Sequence, residues 1–222
     1  MSQENDQNRT AGEPTKLTYD QDAFLEQAAS YRFALKKEKE IKAKRHATMQ
    51  VLGAAAVNFV QLLDPNNGGN SGEGQKSILT ANLANDVINI RSDRRRITIT
   101  ILSGVSSDCE LSNPRNENCG QIFVYAYLAD QDTATLVSRL RIYINGDIDD
   151  GDLHSWSVDE GAEGCYPYLS NLINSCLFAP DMSWVTDSKL PPFLTHVPIV
   201  NGEVHLEHLH RTSGQYTVKP GK

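Results

Sequence analysis

Three strand-like runs follow one another between positions 94 and 144, and whatever fold the chain adopts has to pair them. They are Arg-Ile-Thr-Ile-Thr-Ile-Leu at 96–102, Gln-Ile-Phe-Val-Tyr-Ala-Tyr-Leu at 121–128, and Leu-Val-Ser-Arg-Leu-Arg-Ile-Tyr-Ile at 136–144. Their period of two and their β-branched and aromatic composition predict extended chain. In the first run Ile97, Ile99 and Ile101 point one way and Thr98 and Thr100 the other. In the third, Leu140, Ile142 and Ile144 share a face opposite Val137, Arg139, Arg141 and Tyr143. The middle run is apolar on both faces, which predicts a central strand with the other two beside it.

A second constraint lies upstream. Asp20 or Asp22 caps a long helical pattern in which Phe24, Ala28, Tyr31 and Leu35 recur at spacings of four and three. The charged stretch 36–46 interrupts the stripe, which returns with Val51, Leu52, Ala55, Phe59, Leu62 and Leu63. These spacings fit a heptad seam. Ala, Leu, Lys, Glu and Gln favour helix throughout, Gly53 is the weak spot, and Asp64-Pro65 ends the pattern. One helix or two with a break near His46 are both compatible with it.

The predicted fold class is α+β: an N-terminal helical arm followed by a mainly antiparallel β-rich domain with one or two packed helices. Residues 1–19 are polar and expected to be a disordered tail, 20–63 form the arm, 64–76 a Gly/Asn-rich linker, and 77–222 the β-rich domain. Within that domain Ser77 is read as the cap of a short helix carrying Leu79, Leu83, Val87 and Ile88. A short strand is expected at 154–158 and a helix at 166–178. Asn201-Gly202 should close a hairpin between 195–200 and 203–209, with Pro198 marking a sheet edge.

The net charge of −7 is unevenly distributed. Arg32, Lys36, Lys37, Lys39, Lys42, Lys44 and Arg45 make the arm basic, whereas acids predominate after Ser103 and cluster at Asp147, Asp149, Asp150 and Asp152. A basic arm on an acidic body suits self-assembly as readily as nucleic-acid binding. The opening residues do not read as a secretory leader, and the apolar stretch 49–63 is too short to span a bilayer. The expectation is a cytoplasmic protein, or one within a macromolecular assembly, with no transmembrane segment. Cys109, Cys119, Cys165 and Cys176 are then expected as free thiols; an oxidising compartment would let each pair close a local loop.

Four constellations carry functional readings. The apolar stripe Phe24, Tyr31, Leu35, Val51, Leu52, Phe59 and Leu62 predicts subunit contacts. Arg94, Arg95 and Arg96 with Tyr125, Tyr127, Arg139 and Arg141 would offer aromatic and cationic groups to a single-stranded nucleic acid, if that sheet face were open. Packing of the same face under other elements is the competing reading. His205, His208 and His210, with His196 on the partner strand, are imidazoles of the kind that bind zinc, copper or nickel. In a regular strand His205 faces away from the other two, and the spacing matches no zinc signature. The acidic turn supplies hard oxygen ligands without EF-hand order.

No Gly-x-Ser-x-Gly, Walker A, Rossmann or His-Glu-x-x-His pattern occurs, so a non-enzymatic role without cofactor is favoured. The leading expectation is a self-associating structural or assembly protein, a homo-oligomer open to other protein partners. Capsid and secretion-apparatus subunits share such a plan by analogy of architecture. A nucleic-acid-binding module and a metal-dependent enzyme or sensor are the alternatives.

Overall fold

The structure, a computed structural model, describes residues 21–64, 77–101, 118–143, 145–149, 155–157, 161–179 and 192–207. Helix α1 (Gln21–Leu63) is followed by the hairpin β1 (Thr80–Ala84) and β2 (Val87–Arg91), then β3 (Arg95–Ile101), β4 (Asn118–Leu128) and β5 (Thr133–Tyr143). Two short strands come next, β6 (Asp147–Asp149) and β7 (Ser155–Ser157). A 3-10 turn (Ala162–Cys165) leads into α2 (Tyr166–Ile173), and a π-helical turn (Asn174–Phe178) closes it. The one-turn helix α3 (Pro192–Thr195), β8 (His196–Val200) and β9 (Glu203–Val204) complete the described chain. The expected α+β class is therefore what the chain adopts. Among the described residues no helix is long and apolar enough to cross a membrane.

All strand pairs are antiparallel, in the order β1-β2-β3-β4-β5-β6-β7, and the nine-stranded sheet curves into a half-barrel. β4 lies between β3 and β5, as its two apolar faces require. The outer edge of β5 is shared: Thr133–Thr135 pair with β8 and Arg141–Ile142 with β6. Between them the register slips, so that Val124 faces Ser138 while Tyr125 faces Leu136. Val137 is the extra residue of this bulge. The alternation reverses there, which corrects the simple period-two reading of this strand: Leu136 belongs to one face, whereas Val137 joins Leu140 and Ile142 on the other.

The sheet has a core on each face. On the first, Ile88, Ile90, Ile97, Ile99, Ile122, Val124 and Leu140 pack beneath Met49, Leu52, Ala55, Ala56 and Val60 of α1. Leu169, Leu172 and Ile173 of α2 and Cys176 of the π-helical turn cover the same core, with the rings of Phe59 and Tyr166 5.0 Å apart. On the second face Phe123, Tyr125, Tyr127, Ala134 and Leu136 lie under Leu194, Val197 and Val204.

Two sequence expectations fail in this region. The segment after Ser77 is a hairpin, not a helix. Asn85 and Asp86 take φ of +51° and +59° and turn the chain without a glycine, because these side chains tolerate the left-handed region better than most. Pro198 does not mark an edge, since β8 has β5 on one side and β9 on the other. The proline fits because β8 changes partner along its length: Ile199 N donates to Asp132 O, while Pro198 accepts from His205 N. The Asn201-Gly202 turn has the expected positive φ at both positions, +54° and +76°.

The chain divides into two compact units, Met1–Glu38 and Lys39–Lys222. The boundary between these units falls inside α1, and Met49, Leu52, Ala55, Ala56 and Val60 of the helix belong to the core of the second unit.

Candidate functional site

The portion of α1 that remains an arm, residues 21–38, keeps its large apolar side chains at the surface. Phe24 and Leu25 are each 54% exposed, Tyr31 65%, Phe33 71% and Leu35 39%. Phe24, Ala28, Tyr31 and Leu35 follow the four-three spacing of a seam. Phe33 is two residues from Tyr31, about 200° around the helix at 3.6 residues per turn, and Leu25 flanks Phe24. The apolar surface therefore exceeds one stripe. Stripe counting picks up the seam and misses Leu25 and Phe33, which only exposure identifies.

The other predicted contact residues divide differently. Leu52 is in the body's own core, 1% exposed, which removes it from any surface; the sheet beneath the helix already supplies its partner. Val51 is half-buried, and Phe59 is half-buried against Tyr166. Leu62 is exposed at the end of the helix. The basic stretch is likewise partly engaged. Lys44 Nζ lies over Gly146 and Arg45 Nε over Gly120, so near that a Cβ on either glycine would be 2.9 or 2.8 Å away. The amino end of β6 therefore receives a lysine from α1, in keeping with the acidic character of that turn.

The Tyr/Arg face is not an open platform. Tyr125 and Tyr127 are fully buried together with Phe123, covered by α3 and the β8–β9 hairpin. The hairpin occupies the surface on which a base would have to stack. The arginines also have structural tasks. Arg95 donates to the carbonyl of Ala179 at 2.6 Å and so caps the end of the π-helical turn. Arg96 donates to Gly202 O at 2.6 Å, and Arg91 to Glu203 at 2.8 Å, fastening the hairpin across the sheet. Arg94 and Arg139 are exposed. Arg141 Nε is 3.2 Å from Asp149 Oδ1 across the β5–β6 pair. Burial pushes the Tyr125 hydroxyl well above the usual tyrosine range, and that hydroxyl has no hydrogen-bond partner among the described residues.

Of the four candidate histidines, His196 and His205 lie within the described residues. His205 is half-buried after β9, and His196 Nδ1 is 2.9 Å from Thr195 Oγ1. His208 and His210 lie outside the described residues. Among those described, no group of three His, Cys, Asp or Glu side chains is arranged to hold a metal ion. In the acidic turn Asp147 exchanges hydrogen bonds with Asn145, at 2.7 Å from the amide side chain and 3.1 Å to its own backbone N–H. Asp150 and Asp152 fall outside the described residues. Cys165 and Cys176 are free, buried thiols. Burial lifts Cys165 to about 11 and raises Cys176, so neither has thiolate character near neutrality.

What the described residues present outward is thus apolar side chains on the arm rather than a cleft of converging polar groups. Comparison of the chain with family models, curated proteins and solved structures found no match, so a functional reading has to rest on these residues.

Proposed function

We propose that this is a non-enzymatic, self-associating assembly protein, in which residues 21–38 make contacts between subunits and the β-rich body is the scaffold. The observation that carries the proposal is the exposure of Leu25, Tyr31, Phe33 and Leu35 on one short length of helix. Isolated helices of this length are marginal in water, and exposed aromatic and aliphatic groups on several sides favour burial against another chain. A second copy is the simplest partner, because the same arm is then present at equal concentration.

The test is the solution mass of the full chain by light scattering, compared with the variant Leu25→Ser/Tyr31→Ser/Phe33→Ser/Leu35→Ser. A defined oligomer for the natural chain and a smaller species for the variant, with urea midpoints that agree in dilute solution, is the expected result. Monomers for both at the highest concentration reached would overturn it. Deleting all of α1 would be uninformative, because Met49–Val60 belong to the core of the body.

A further inference from the structure

We propose that the outer edge of β1 is a second self-association surface, pairing antiparallel with β1 of another copy so that two sheets join across a twofold axis. The proposal shares with the preceding one the premise of self-association but depends on a different element.

The backbone geometry defines what this edge presents. The two-residue turn Asn85-Asp86 closes on Ala84 and Val87 as a hydrogen-bonded pair, so Thr80, Asn82 and Ala84 direct their N–H and C=O groups at β2. Those of Ala81 and Leu83 point the other way. Among the described residues β1 pairs only with β2, leaving this row open.

Exposed edges are usually blunted by a charge, a proline, a bulge or brevity. Thr-Ala-Asn-Leu-Ala has no charge and no proline, and its register with β2 is unbroken from Thr80–Arg91 to Ala84–Val87. The described β1 strand thus carries none of these devices.

The strand is also complementary to itself. With the twofold axis at Asn82, Ala81 of one copy faces Leu83 of the second copy, and their outward N–H and C=O groups satisfy one another in hydrogen-bonded pairs. Thr80 then stands opposite Ala84 of the second copy and Asn82 opposite its own counterpart, so no like charges meet. Around the entry to the strand Leu62, Leu63 and Ile78 are exposed, Ile78 being held there by its backbone hydrogen bond to Asp64.

The experiment compares the full natural chain, a Thr80→Lys/Asn82→Lys variant and the arm variant described above, by light scattering and amide hydrogen exchange. Thr80 and Asn82 are exposed, so the lysines leave the fold intact, and the urea midpoint checks this. A single Asn82→Lys serves if the double variant is destabilised. In the natural chain the amides of Ala81 and Leu83 are expected to exchange slowly, with protection falling on dilution, whereas the Asn82 amide is protected throughout by β2. The edge variant should show fast exchange at Ala81 and Leu83 and a twofold smaller mass; the arm variant should retain the protected edge. Unprotected Ala81 and Leu83 amides at every concentration, or an edge variant of unchanged mass, would overturn the proposal. Loss of mass in the arm variant alone would then leave only the arm as the assembly element.

Discussion

Asp64, at the end of α1, accepts a hydrogen bond on Oδ2 from the hydroxyl of Ser77 at 2.9 Å, and this joins the two ends of the Gly/Asn-rich segment 65–76. The same oxygen accepts from the backbone N–H groups of Ile78 and Leu79. Asp64 is 5% exposed, and its own N–H continues the helix to Val60 O at 2.9 Å. The residues that flank the Gly/Asn-rich segment, Asp64 and Ser77, are thereby held to each other.

Asp64→Ala should therefore destabilise the body by about 2–3 kcal/mol, because it leaves two backbone donors without their shared anionic acceptor, while the Ser77 hydroxyl keeps Leu79 O at 2.6 Å. Asp64→Asn should cost less, since an amide oxygen still accepts. Urea unfolding midpoints measure both. An Asp64→Ala midpoint equal to that of the natural chain would show that the clasp contributes nothing.

Leucine 52 and leucine 35 lie on the same helix with opposite surroundings, Leu52 at 1% exposure and Leu35 at 39%. Leu52→Ala is expected to cost about 2–5 kcal/mol through lost burial and a residual cavity. Leu35→Ala should cost within about 0.5 kcal/mol in dilute solution, as surface substitutions do. At concentrations where the chain associates, its effect should grow. Equal losses at both sites would mean the helix is buried along its whole length.

Gly53 tests the closeness of α1 to the sheet. Replacing an interior helical glycine by alanine ordinarily stabilises by about 1 kcal/mol. Here the new Cβ would lie 2.6 Å from Leu83 Cδ2 and 3.0 Å from Leu83 Cγ. The half-buried Leu83 side chain has to turn aside, so Gly53→Ala is expected to gain less than about 1 kcal/mol in the natural chain and more in a Leu83→Ala background. A double-mutant cycle reads this directly as a coupling between the two positions. Additive effects would place the helix farther from β1 than the structure does.

The buried thiols set an alkaline limit on stability. Burial raises Cys165 from 9.0 to about 11, so below pH 9 the thiol is protonated in both the folded and unfolded states. Between pH 9 and 11 the unfolded state ionises first. Unfolding then releases a proton, and stability falls as pH rises, by at most about 1.4 kcal/mol per pH unit for this group. Cys176 and Tyr125 shift in the same direction through burial, as does Tyr143 through burial and then its hydrogen bond to Asp149. Urea midpoints from pH 8.5 to 10.5 should decline less steeply for Cys165→Ala than for the natural chain. Parallel slopes would remove Cys165 from the account.

Local pattern alone determined the three central strands, the helix from residue 166, the glycine turn at Asn201-Gly202 and the helical character of 21–63, because each depends on residues close in sequence. Periodicity of two or of 3.6 and turn chemistry are local properties, and they survived folding nearly unchanged. The sheet face that Tyr125 and Tyr127 occupy was also legible, but not what covers it: the β8–β9 hairpin comes from about 70 residues later in the chain and leaves no mark near position 125. The reversal at Val137 needed a bulge that only the pairing with β4 reveals. Likewise Leu35 and Leu52 are both apolar positions on one helical pattern, and nothing local separates them. Burial is decided by what lies opposite, and only the second has a sheet beneath it.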